Sequence, residues 1–141
     1  MKHESRKRVL LVDNSLVVRE RLLALVSELP DVDVIAEAST VADAIRKNRR
    51  FRPEIVVLDI SLADGNGIQV LEAIKSTRRA TPHVIMLTNF ALEAYRERCL
   101  ELGAEYFFDK SAEFEQAVQT IKKLSRNNSR PAGRAVRAVR T

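Results

Sequence analysis

Ile55-Val56-Val57-Leu58-Asp59 is the stretch that decides how this chain folds. Four apolar residues stand in a row, three of them β-branched, and the run stops on an acid. β-branched side chains suit the pleated backbone of a strand better than a helix. A strand with no polar alternation is buried on both faces, as in the middle of a parallel sheet. Working outward, comparable runs recur at Val9-Leu10-Leu11-Val12, at Val84-Ile85-Met86-Leu87 after Pro82, and at Tyr106-Phe107-Phe108; a further strand over 32–36 is interrupted by Asp33. Between these runs the apolar spacing becomes helical. Val18, Leu22, Leu25, Val26 and Leu29 share one face, and Pro30-Asp31 ends that helix. Thr40 with Asp43 resembles a capping box and opens a helix through Ile45. Gly65-Asn66-Gly67 forms a loop before a helix through Val70, Leu71 and Ile74. Leu92, Tyr95, Cys99 and Leu102 mark the next face, closed by Gly103 at a C-cap position. Ser111 is placed to cap a last helix bearing Phe114, Val118, Ile121 and Leu124.

Strand and helix thus alternate five times. The expectation is an α/β fold, a single (βα)5 doubly wound parallel sheet with right-handed crossovers and the flavodoxin-like strand order 2-1-3-4-5. The bulk numbers agree: 141 residues, 45% hydrophobic and 30% charged, suit one globular domain rather than a disordered chain. Cys99 is the lone cysteine, which excludes an internal disulfide and suits a reducing, cytoplasmic setting. The basic residues 1–8 are followed by no signal-type apolar region, and no apolar run reaches membrane-spanning length, so neither secretion nor a membrane partner is expected.

The net charge of +5 invites a nucleic-acid reading, but its distribution argues otherwise. Residues 126–141 hold five arginines and no acid, so the rest of the chain is formally neutral. We therefore expect a folded domain over residues 1–125 and a basic, flexible C-terminal tail over 126–141. Nucleic acid is not an expected partner except through that tail, whose arginines suit phosphate contacts without sequence reading.

In an open parallel sheet, ligands bind beyond the carboxyl ends of the strands. Those ends read Asp13-Asn14, Asp59, Thr88-Asn89 and Asp109-Lys110. Two carboxylates on neighbouring strand ends suit Mg2+, which takes oxygen ligands and retains waters. A carboxylate that accepts a phosphoryl group becomes an acyl phosphate. The developing charge then needs compensation, which Mg2+, the Lys110 ammonium and the Thr88 hydroxyl would supply.

Leu10-Leu11-Val12-Asp13, Val56-Val57-Leu58-Asp59, Met86-Leu87-Thr88 and Phe107-Phe108-Asp109-Lys110 resemble, in order, the four signature segments of CheY-like receiver domains of response regulators. The resemblance covers about residues 6–124, which would make 1–125 the receiver domain. It implies that Asp59 is the phosphoacceptor, with Thr88 and Lys110 contacting the phosphoryl group. It implies that Asp13, Asp59 and the backbone carbonyl of Ser61 bind Mg2+. Phe107 falls at the switch aromatic, which turns inward when the Thr hydroxyl moves toward the phosphate. The implied partners are a sensor histidine kinase or phosphotransfer protein and a downstream protein target, engaged through the face of helix 4, strand 5 and helix 5. Two departures stand out. The second acid after the first strand is replaced by Asn14, which is either a weaker, uncharged metal ligand or a turn former; Mg2+ affinity is expected to fall. The loop after the acceptor reads Leu62-Ala63-Asp64-Gly65 where the family often has Pro, a change expected to affect loop rigidity, with Asp64 a candidate replacement carboxylate.

Other readings are weaker on the residues. A phosphorylation-independent pseudo-receiver, acting as a constitutive protein-binding module, is kept open by Asn14. An aspartate-nucleophile phosphatase needs an acid two residues past its nucleophile, where this chain has Ser61. A flavin site needs a glycine-rich phosphate loop after the first strand, where this chain has Asp13-Asn14-Ser15. His3 and His83 have no partners at zinc spacing. Cys99, on an apolar helix face, reads as a core residue, as does Tyr95.

Overall fold

The computed structural model describes residues 6–77 and 79–126. Its elements run β1 (Lys7–Val12), α1 (Leu16–Val26), β2 (Val32–Ala38), α2 (Val41–Phe51), β3 (Ile55–Leu58), α3 (Gly67–Lys75), β4 (His83–Thr88), α4 (Glu93–Glu101), β5 (Tyr106–Asp109) and α5 (Phe114–Arg126). The five strands form one parallel sheet in the order β2-β1-β3-β4-β5. This is the doubly wound (βα)5 arrangement. β3 sits at its centre and every one of its residues is buried, as the unbroken apolar run requires.

Successive strand residues point to opposite faces, and the chain uses both. Leu10, Val12, Val56, Leu58, Val84 and Met86 pack with Ala44 of α2, with Val70, Leu71 and Ile74 of α3 and with Cys99 of α4. Val9, Leu11, Ile55, Val57, Ile85 and Leu87 pack with Leu22 and Val26 of α1 and with Phe114, Ala117, Val118, Ile121 and Leu124 of α5. β2 tolerates Asp33 because it is an edge strand and that side chain is exposed. A register shift opposite Val9 and Leu10 puts one extra residue into β2, and the strand stays paired with β1 to Ala38 opposite Val12, two residues beyond the expected 32–36.

Several boundaries differ from the sequence expectation. α1 ends at Val26, capped by Ser27, rather than running to Leu29; the residue before Pro30 disfavours helical backbone, and Leu29 instead donates to the Val26 carbonyl in a tight turn. Thr40 caps α2 by accepting from the Asp43 amide, but Asp43 turns its carboxylate to Arg46 and Lys47, so the expected capping box is one-sided. A true capping box forms at Asn66 with Gln69, opening α3. α4 closes as expected: Gly103 has φ +109, donating to Leu100, and Ala104 donates to Cys99, the pairing of a Schellman motif. Ser111 does not cap α5. Its amide is taken by Asp109, and the helix starts three residues later at Phe114, with Glu113 providing its first acceptor. Of the tail 126–141, only Arg126, the last residue of α5, lies within the described residues. No helix among the described residues is long and apolar enough to cross a membrane.

Candidate functional site

β1 and β3 are neighbours in the sheet, so their carboxyl ends bring Asp13 and Asp59 together. Both acids are 3% exposed. Asp13 is fixed by its own backbone, whose amide donates to Ala38 and whose carbonyl accepts from Arg19. Its Oδ1 accepts from the Ser15 amide at 2.8 Å, and Ser15 in turn caps α1. Asp59 donates through its amide to Val12 and accepts the Ser61 amide at 3.3 Å. The two acids are thus held by the ends of neighbouring strands and by the first residues after their own.

Lys110 follows β5, where its amide donates to the Thr88 carbonyl and its side chain reaches across the strand ends. Lys110 Nζ stands 2.8 Å from Asp13 Oδ2 and 2.9 Å from Asp59 Oδ2. One buried ammonium therefore bridges two buried carboxylates, leaving the trio with one surplus negative charge. Burial is the largest influence on Asp13 and raises its pKa, with the charge of Asp59 adding to it against the pull of Lys110 and the Ser15 amide. Burial works against the Lys110 ammonium, but its hydrogen bonds to Asp13 and Asp59 outweigh that and raise its pKa. Thr88 ends β4, is fully buried, and accepts from the Phe90 amide through its hydroxyl oxygen. An O–H proton is left on that hydroxyl for a further acceptor.

The surplus charge makes the group fit Mg2+: Asp13 and Asp59 supply hard anionic oxygens, and Lys110 marks where positive charge is already needed. No group of three or more His, Cys, Asp and Glu side chains that could hold a metal exists among the described residues, so any metal here relies on backbone oxygen and water as well. Asn14 is exposed in the turn between Asp13 and the cap residue Ser15.

The loop after Asp59 is an unexpected two-residue antiparallel ribbon, Ser61–Leu62 against Gly65–Asn66. At its base Gly67 donates to Ile60 at 2.6 Å. A Cβ on Gly67 would stand 1.9 Å from the Asp59 carbonyl oxygen, so only glycine permits the chain to close behind the acid. Asp64 is not a replacement carboxylate in the cluster: it is turned to the Val41 and Ala42 amides of α2.

Phe107 is 6% exposed and packs with Met86, Cys99 and Ala104. Arg96 donates to its carbonyl at 3.4 Å and lies 5.9 Å from its ring centroid. Tyr95 packs against the same cluster. Cys99 is fully buried, and burial pushes its thiol up to about 11, against the weaker pull of Arg98; it is a core residue and not a nucleophile. A cleft of about 930 Å³ opens at the opposite, amino end of the strands, bordered by Lys7, Arg49, Arg52 and Arg79. None of the expected site residues borders it, and basic side chains there also complement the carboxyl ends of α2 and α3. The convergent charges lie at the other end of the strands from that cleft.

Known proteins place this geometry. Residues 9–122 match the family described as the response regulator receiver domain. The sensory transduction protein LytT of Bacillus cereus is 33% identical over 119 residues, covering 84% of this chain and 47% of that protein. The chain thus spans about half the length of the LytT relatives it matches. The response regulator domain of Thermotoga maritima CheB superposes with a TM-score of 0.75 at 27% identity, covering 88% of this chain and 99% of that one. CheY in a CheX–CheY–BeF3–Mg complex from Borrelia burgdorferi superposes with a TM-score of 0.72 at 25% identity, covering 86% and 98%. The chain belongs to the response regulator receiver family, the signalling domains of two-component signal transduction, in which phosphorylation and Mg2+ binding are typical.

Proposed function

We propose that this domain accepts a phosphoryl group on Asp59 from a sensor histidine kinase or phosphotransfer protein, in the cytoplasm, and thereby switches the binding of a downstream protein. The observation that carries this reading is the bridge of Lys110 to Asp13 and Asp59 at 2.8 and 2.9 Å. A buried pair of acids sharing one cation is costly to keep, and it is suited to receive a group that must be surrounded by positive charge. In the reaction, an Asp59 carboxylate oxygen attacks phosphorus and forms the acyl P–O bond. The bond from phosphorus to the donor nitrogen breaks, and its electron pair leaves with the donor imidazole. Lys110 and the Thr88 hydroxyl turn toward the phosphoryl oxygens, taking up the charge they gain. Asp13, Asp59 and the Ser61 carbonyl, with Asn14 in a weak role or none, would hold Mg2+, which supplies further neutralisation of the phosphoryl oxygens when bound. The domain would catalyse only its own phosphorylation and would not be a turnover enzyme.

Exposed apolar side chains on α1 and around α4 support partner binding. Leu16 and Val17, at the start of α1 beside Asp13, are 56% and 73% exposed, a surface for the phosphodonor. Phe90, Leu92 and Leu100, on α4 and the loop before it, are also exposed, at one side of the α4–β5–α5 face proposed for output. A second reading, the constitutive pseudo-receiver, is kept by Asn14, which stands exposed where a second acid would bring charge to the metal site.

Incubation with a small phosphodonor over a range of Mg2+ concentrations, followed by a phosphate-affinity gel, separates the two. A Mg2+-dependent shifted band absent from Asp59→Asn supports the switch. No shift at any Mg2+ concentration would leave the pseudo-receiver.

A further inference from the structure

The start of a helix leaves four backbone amides without intrahelical partners, and they are usually satisfied by the residue just before it. α2 does this only in part. Thr40 takes the Asp43 amide at 3.0 Å. The two amides before it are taken from far along the chain: Val41 donates to Asp64 Oδ1 at 2.5 Å and Ala42 to Asp64 Oδ2 at 3.3 Å. One carboxylate, more than twenty residues away in sequence, thus covers both leading amides of α2, where the helix dipole also favours an anion. These bonds hold the Asp64 carboxyl below the usual aspartate range, the Val41 amide contributing most. Next to it Ala63 donates to the Ser39 carbonyl at 3.1 Å.

Asp64 stands at the turn of the ribbon whose first strand begins with Ser61. The ribbon is held at its base by Gly67 donating to Ile60, along its length by the pairing of Ser61 with Asn66, and at its tip by Asp64 and Ala63. No proline stiffens this loop, so the ties at the tip are what keep it from pivoting about its base. We propose that Asp64 is a positioning residue for the metal site: by fastening the ribbon tip to the amide end of α2, it sets the direction of the Ser61 carbonyl. This rests on the receiver reading, in which that carbonyl is a Mg2+ ligand. With Asn14 supplying no charge, the site depends more heavily on its remaining oxygens, and a fixed carbonyl spares the cost of ordering one on binding.

The test is isothermal titration of the full chain with Mg2+ alone, with thermal melts of the same samples. Asp64→Ala should weaken Mg2+ binding about tenfold, the lower range for loss of a group that orients a metal ligand, while the melt stays cooperative and hydrogen exchange at Val41 and Ala42 accelerates. Asp64→Asn keeps an acceptor oxygen without the charge and should restore most of the affinity. Unchanged affinity in Asp64→Ala, with wild type binding Mg2+, would overturn the positioning role and leave the receiver reading intact. Equal weakening in both variants while the Val41 amide stays as protected from exchange in Asp64→Asn as in wild type would assign the effect to charge and likewise overturn it. Failure of the wild type to bind Mg2+ at all would overturn the receiver reading and this inference together.

Discussion

The two ends of the sheet each carry a lysine paired with acid, fully buried at one end and half-buried at the other, and they behave oppositely. At the carboxyl end Lys110 serves two acids, Asp13 and Asp59, whose charges repel and whose burial is resisted. At the amino end Lys75 Nζ reaches Glu105 at 3.2 Å and the Pro82 carbonyl at 2.9 Å, while Glu105 Oε1 also accepts the Val84 amide at 2.8 Å. Burial there is outweighed by His83, Lys75 and that amide, and the Glu105 carboxyl is held below the usual glutamate range. His83 Nδ1 is itself buried 3.8 Å from Glu105 Oε2, beyond ordinary hydrogen-bond length. Among the described residues, Glu105 with the donors around it makes a brace that ties β4 to the turn before β5. Two acids and one ammonium make a site that gains by taking up further positive charge or by losing a negative one. The same residue types brace the fold at one pole and, in the function proposed above, are poised for exchange at the other.

The sharpest way to break this contrast is to remove each lysine. Lys110→Met should slow phosphorylation of Asp59 by about 10²–10³, or roughly 3–4 kcal/mol of barrier, in a time course with a small phosphodonor. Lys75→Met should leave that rate near wild type and lower stability instead. A smaller effect is expected behind the acceptor: Gly67→Ala forces a Cβ against the Asp59 carbonyl and should cost about 1–3 kcal/mol in a urea melt. Neutralising an acid at each pole should shift stability in opposite directions. Asp13→Asn should raise it by about 1 kcal/mol, since it relieves a buried like-charge pair, and Glu105→Gln should lower it by about 1–2 kcal/mol through lost charged hydrogen bonds.

The smallest expected effect is in the pH dependence. Glu105, with its folded pKa depressed, contributes stability that is present above the ordinary glutamate range and lost as pH falls through the folded value. Asp13, with its folded pKa raised, does the reverse: falling pH protonates it first in the folded state and relieves the buried charge. Glu105→Gln should therefore flatten the acid limb of stability against pH and Asp13→Asn should steepen it, each by about a kcal/mol or less. Melts at a series of pH values below neutrality read both slopes.

The fold was largely readable because strand patterning and turn residues are local signals. The Ile55–Leu58 run and the Gly103 helix stop appear in the structure as expected. So was the meeting of Asp13, Asp59 and Lys110, since strand ends in a parallel sheet converge by topology. What escaped was set by partners distant in sequence or by competing local bonds. Asp64 looked like a spare carboxylate because nothing near it in the chain reveals that its partners are the Val41 and Ala42 amides. Ser111 looked like a helix cap, but Asp109 and Glu113 exchange hydrogen bonds around it and delay α5. The brace of Lys75, His83 and Glu105 carried no pattern that sequence spacing exposes.

The most direct test of the central claim is to trap the acyl phosphate chemically. Wild-type protein incubated with a small phosphodonor and Mg2+, then treated with borohydride, should yield homoserine at position 59 and at no other aspartate in peptide mapping by mass spectrometry. Homoserine at Asp13 or Asp64, or at no position under any Mg2+ concentration, would contradict the assignment of Asp59 as the phosphoacceptor.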